Sequence, residues 1–223
     1  MNPKFRKQPT ATAYFSSGLL LLLLVLAVLQ PSSGDLLSLH RTHTLEGGEW
    51  WRIFTGHLVH LSWPHTLMNG CGLVLITITF APITTPLSSP SQTAATPHTA
   101  HAETPASVTF KQLLLYYLLS ALSISLLVLF RNPEIGNYFG LSGILYGLVA
   151  FYLTGDLKLN PVFSGFALAL LIGKIIWDQI YPEHGQLTAD LIGGPVANDA
   201  HLYGVITGVI FGLYCIFKKN ANT

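Results

Sequence analysis

Charge is scarce in this chain: of its 223 residues only 9% are Asp, Glu, Lys or Arg, where a soluble globular domain carries about a quarter, and 50% are hydrophobic. That deficit excludes a water-solvated surface over most of the molecule and points to a polypeptide built for lipid. A basic excess is missing too. Eleven Lys and Arg balance ten Asp and Glu, mostly at the ends of apolar runs, so no basic stripe exists and no nucleic-acid partner is expected. Cysteine is limited to Cys71 and Cys215, each inside an apolar run. With no Cys-x-x-Cys or zinc-ligand spacing around them, they read as small buried hydrophobes, and no disulfide is expected. The sequence also lacks His-Glu-x-x-His, and Thr154-Gly155-Asp156 lacks the first glycine of Gly-x-Gly-Asp, which argues against metallo- and aspartyl intramembrane chemistry.

What is present is a series of apolar runs. Six approach the roughly 20 residues needed to cross a bilayer, at about 13–29, 63–83, 110–130, 140–154, 161–181 and 198–217, the fourth being short. The first follows Lys4, Arg6 and Lys7 and could be mistaken for a signal peptide. No clean small-x-small cleavage site follows it and five further spans need an anchor, so it is read as a span. Placing the N-terminus in the cytoplasm puts Lys4, Arg6, Lys7, Lys111, Lys158, Lys218 and Lys219 inside, against Arg41, Arg52 and Arg131 outside, as the positive-inside rule requires. Both termini are then cytoplasmic, and 30–62, 131–139 and 182–197 face the outer side. The Pro-, Ser-, Thr- and Ala-rich stretch at about 84–109 reads as a flexible cytoplasmic linker, with His98 and His101 as bystanders rather than metal ligands. The fold class expected is a single all-α membrane domain, a six-transmembrane-helix bundle.

Polar groups inside a membrane are costly, and within a bundle they point to function. Three clusters meet at the outer face: Trp51-Arg52 with His60, His65 and Asn69; Gly140-Leu141-Ser142-Gly143; and Ala200-His201-Leu202-Tyr203-Gly204. Ser142 between Gly140 and Gly143, opening a helix, has free backbone amides beside it, as an oxyanion hole needs. The same pattern fits a serine N-cap between packing glycines. His201 supplies a base suited to neutral pH. Gly143 and Gly147 facing Gly204, Gly208 and Gly212 would let the two helices approach closely. Tyr146, one turn from Ser142, either orients the imidazole or packs in the core. His65 and Asn69, four apart, share a helical face and can donate to one point. A metal cluster with His60 is disfavoured, because no zinc-ligand spacing appears and Asn is a poor zinc ligand. Asp199, two residues from His201, points to another side of the helix and is read as a helix-start group, leaving a dyad without a carboxylate. Lys174 and Asp178, at i and i+4, read as a structural pair. His40, His43, His57 and His184 read as surface or interfacial.

The ordered set Trp51-Arg52, His60-x4-His65-x3-Asn69, Gly140-x-Ser142-Gly143 with Tyr146, and Ala200-His201-x2-Gly204-x3-Gly208 resembles the rhomboid family over 50–212. The resemblance implies an intramembrane serine endopeptidase with Ser142 and His201 as dyad, His65 and Asn69 as oxyanion donors, Trp51 and Arg52 as structural elements of the first outer loop, and no cofactor. The small size, the form Thr55-Gly56-His57-Leu58-Val59-His60, and Lys174 ahead of an acidic residue resemble the rhombosortase subfamily. That likeness implies a bacterial inner-membrane enzyme removing C-terminal tails made of a Gly-Gly motif, a transmembrane helix and a basic end. The long linker departs from that pattern. A transporter is disfavoured by the lack of inverted repeats, and a non-catalytic binder of transmembrane clients by the presence of both Ser142 and His201.

Overall fold

The computed structural model describes residues 10–80 and 108–221, with side chains to 218; the linker expected at 84–109 lies outside the described residues except for its last two. In chain order the helices are α1 (Ala11–Val28), α2 (Ser32–Leu37), α3 (Arg41–Leu45), α4 (Arg52–Thr55), α5 (Trp63–Phe80), α6 (Phe110–Arg131), α7 (Ser142–Asp156), α8 (Pro161–Ile180), α9 (Gln186–Ile192) and α10 (Asn198–Ala221). Two short strands, β1 (Leu39–His40) and β2 (Asn137–Tyr138), pair antiparallel with Leu39 opposite Tyr138.

The protein is an all-α membrane bundle. Among the described residues, α1, α6, α8 and α10 are long and apolar enough to cross a bilayer. The other two long helices are shorter or more polar. With 15 residues, α7 rises only about 22 Å, less than a hydrocarbon core of about 30 Å, and it runs through the middle of the bundle. It buries Ile144, Leu145, Gly147, Ala150 and Leu153, residues that point to every side. A helix wrapped by protein need not match the lipid thickness.

Sequence chemistry explains the ends of these elements. Thr109 caps α6 in a reciprocal capping box with Gln112, so the connection ends at 109 in a fixed helix start. The run expected from 140 begins its helix at Ser142, because Gly140 holds φ +108°, a left-handed conformation outside the helical range. Leu141 is the N-cap, which excludes the serine N-cap reading of Ser142. α1 is tied into the bundle by polar contacts, Thr12 Oγ1 to the Tyr152 hydroxyl at 3.0 Å and Thr77 Oγ1 donating to Ser16 Oγ at 2.7 Å.

The tightest packing joins α7 to α10. Their backbones approach where Gly143 and Gly147 meet Gly204 and Gly208, and a Cβ on Gly143 would lie 2.8 Å from the Ala200 carbonyl oxygen. Gly212, which the sequence places on the same ridge, packs instead against the Thr154 side chain. Cys71 departs from expectation: it is exposed on α5, while Cys215 is half-buried, and both are free thiols. An apolar run in a membrane helix can face lipid as readily as protein, which sequence periodicity alone does not resolve.

The segment between α1 and α5, expected as a loop, is ordered by Arg52. Its guanidinium is buried, donating to Glu49 Oε2, to the Ser38 carbonyl at 2.8 Å and to the Asp35 carbonyl at 3.0 Å. Trp51 stays half-exposed, its indole donating to the Leu36 carbonyl at 3.3 Å. His57 is a correction. Expected at the surface, it is fully buried, its Nε2 3.0 Å from Ser125 Oγ and 3.2 Å from the Ala121 carbonyl oxygen on α6.

Burial holds the His57 pKa down at about 4, and burial with the neighbouring His65 holds that of His60 at about 3, against about 6.5 in an unfolded chain. Between these values the unfolded state binds the extra proton, so stability is complete above about pH 6.5 and falls as pH drops toward 4. For His57 the loss is on the order of 3 kcal/mol over that window. Thermal unfolding in detergent should therefore show a melting temperature that declines between pH 7 and 5, with a shallower decline in His57→Gln. A pH-independent melting temperature would refute the neutral buried imidazole.

Candidate active site

Three elements bring the polar clusters together at one end of the bundle. Ser142 opens α7, His201 lies in the first turn of α10, and the glycine contact between these helices sets their separation. Ser142 Oγ lies 2.9 Å from His201 Nε2. The His201 ring stacks on Tyr146, centroids 4.3 Å apart and planes 15° from parallel. His201 Nδ1 is buried with no partner among the described residues. For Nε2 to accept the serine proton, the ring hydrogen must sit on Nδ1, so the Tyr146 face, rather than a carboxylate, keeps the imidazole in place.

Asp199 turns elsewhere: Asn132 Nδ2 donates to its carboxylate at 2.7 Å, and the Tyr203 hydroxyl donates to Asn132 Oδ1 at 2.8 Å. It secures the start of α10 to the end of α6.

The third contribution comes from α5. His65 and Asn69 are both buried. A Cβ on Gly140 would lie 2.7 Å from His65 Nε2 and 3.8 Å from Asn69 Nδ2, so both side-chain nitrogens converge on the backbone just before Ser142. The Leu61 amide faces His65 Nδ1 at 3.4 Å, which favours the tautomer with hydrogen on Nε2, the atom turned toward Gly140. Asn69 spends one amide hydrogen on the His65 carbonyl at 3.1 Å and keeps the other. His60 is buried, its ring edge-on to His65 at 4.9 Å, and its carbonyl accepts from Gln30 at 2.8 Å. It buttresses His65.

A cavity of about 550 Å³ opens on this arrangement, lined by His65, Asn69, Ser142, Tyr146 and His201 and also by Lys174 and Asp178. Lys174 Nζ donates to Asp178 Oδ1 at 2.6 Å, and the Asp178 carbonyl accepts from Asn198 at 3.1 Å. The pair thus faces the chamber and ties α8 to α10. Its sequence spacing gives the pairing but not that exposure. Gly140 and Gly143 flank the serine, and Gly204 and Gly208 seat the histidine helix.

A family model described as the Rhomboid domain matches residues 102–218, just over half of the chain. The chain belongs to the rhomboid family. The match takes in Ser142, Tyr146 and His201, whereas Trp51, Arg52, His60, His65 and Asn69 precede it. No curated protein matches the chain significantly. Rhomboid membership makes this a multi-pass membrane protein of an intramembrane-protease family, and the polar side chains gathered around its cavity include those of Ser142, His201, His65 and Asn69.

Proposed function

We propose that this rhomboid is an active serine endopeptidase that cleaves transmembrane segments with a Ser142–His201 dyad. The observation carrying the proposal is the 2.9 Å contact of Ser142 Oγ with His201 Nε2, on the wall of a cavity and beside a helix start. In the first step the Ser142 oxygen attacks the scissile carbonyl while its proton passes to His201 Nε2. The resulting oxyanion is held by the Ser142 amide and the side chains of His65 and Asn69. His201 then returns the proton to the leaving amine, an acyl-enzyme remains, and water, deprotonated by His201, releases the second product. No cofactor enters this scheme.

The substrates we propose are exported proteins with C-terminal Gly-Gly sorting tails, processed at a bacterial inner membrane by an enzyme with both termini cytoplasmic and its site open to the outer side. The form Thr55-Gly56-His57-Leu58-Val59-His60 and Lys174 ahead of Asp178 support this narrower reading. The test is cleavage in proteoliposomes of two single-span substrates, one with a Gly-Gly tail and one without. Preference of about 10-fold or more in kcat/KM for the Gly-Gly substrate is expected. Equal cleavage would leave a protease of broader range, and cleavage of neither, with intact binding of the spans, would favour a client-binding protein.

A further inference from the structure

The buried pair His57 and Tyr138 lies outside the proposed dyad and oxyanion donors, yet through the Tyr138 hydroxyl it reaches the peptide that leads into Ser142. Tyr138, in β2, is 2% exposed; its hydroxyl donates to the Gly140 carbonyl at 3.0 Å and its ring meets the His57 ring edge-on at 5.2 Å. His57 Nδ1 has no hydrogen-bond partner among the described residues, so His57 acts on this peptide through the Tyr138 ring. On the other side of Gly140, its amide donates to the Gly56 carbonyl at 3.2 Å. Both backbone groups of Gly140 are therefore held by the 56–57 turn and Tyr138.

His57 is in turn fixed to α6. The Ser125 hydroxyl spends its hydrogen on the Ile53 carbonyl at 2.7 Å, so the His57 Nε2 hydrogen is what bonds Ser125 Oγ and the Ala121 carbonyl. The chain of contacts runs from α6 through His57 and Tyr138 to Gly140, two residues from the nucleophile. A trans peptide points its C=O and N–H in opposite directions. With the Gly140 carbonyl turned to the Tyr138 hydroxyl, the Leu141 amide must point away from it. Among the described residues the Leu141 and Ser142 amides donate to no backbone acceptor.

We propose that His57 and Tyr138 are positioning residues that lock the Gly140–Leu141 peptide so that the Leu141 and Ser142 amides stay aimed at the developing oxyanion. This rests on the serine-protease reading. Neither residue touches the substrate, and their effect falls on the acylation step. Displacement of an oxyanion donor by about 1 Å costs on the order of 10²-fold in rate.

The test compares Tyr138→Phe with Tyr117→Phe in proteoliposomes. Tyr117 is an equally suitable control, a buried tyrosine whose hydroxyl donates to the Phe54 carbonyl at 3.0 Å, in a contact that does not involve Gly140. Covalent labelling of Ser142 by a fluorophosphonate, and kcat and KM on a single-span substrate, are read for each. Tyr138→Phe is expected to slow labelling and kcat by about 10- to 100-fold with KM within about 2-fold, while Tyr117→Phe changes kcat by less than about 3-fold. His57→Leu should resemble Tyr138→Phe, and His57→Gln, which keeps a donor toward Ala121, should recover at least part of the loss. Labelling of the native protein together with equal effects of the two tyrosine variants would overturn the positioning role alone. Failure of the native protein to label or cleave would overturn the protease reading, and the positioning role with it.

Discussion

Ser142→Ala is expected to reduce cleavage by at least about 10⁴-fold while leaving the melting temperature almost unchanged. The size of the loss follows from the chemistry: without Oγ there is no acyl-enzyme, and His201 has no proton to take. The small structural cost follows from the surroundings. Ser142 is half-buried at the mouth of a cavity, makes its hydrogen bond to His201 and does not cap its helix, so its removal costs only about 1 kcal/mol. His201→Ala should lose comparable activity but more stability, because it also removes the stacking face on Tyr146. Rates and melting curves of both variants in the same detergent check the pair of expectations. Persistent cleavage by purified Ser142→Ala would exclude the serine mechanism outright.

Much of this arrangement is legible in the sequence because the membrane restricts what a polar residue can do there. A run such as 110–130 has few alternatives to a spanning helix, and His65 and Asn69 share a face simply by being four apart. The glycine ridge is similarly readable at Gly143, Gly147, Gly204 and Gly208, where backbone approach needs the absence of a Cβ. The remainder depends on contacts between distant segments. Sequence gives no means of deciding that Cys71 faces outward, since lipid and protein interior favour the same residues. Nor does it show that His57 is buried against Ser125, 68 positions away, although a histidine in the apolar run Thr55-Gly56-His57-Leu58-Val59 was the available signal. Lys174 and Asp178 pair by local spacing, but their place on the cavity wall is set by how α8 rotates against α10.

The α7–α10 contact carries the largest stability effect. In Gly204→Val, a Cβ would run into the Gly143 carbonyl oxygen and approach Gly143 Cα within 3.3 Å. The obstacle is backbone on a central helix, so no flexible side chain can yield. The helices would have to separate, and that movement would also carry His201, three residues earlier in α10, away from Ser142. The expected cost is at least about 3 kcal/mol, the upper end of what overpacking commonly produces, with loss of the folded protein or a sharply lower melting temperature. Gly173→Ala supplies the comparison. Gly173 lies in α8, no atom stands within 4 Å of its added Cβ, and alanine is the better helix former by about 1 kcal/mol, so this variant should melt at or slightly above the native temperature. A milder Gly208→Ala should fall between them, because its Cβ meets the Gly147 carbonyl one turn further from the dyad. If cleavage in Gly208→Ala drops further than its stability does, the helix separation is also what holds Ser142 and His201 at reacting distance; parallel losses would confine the glycines to packing.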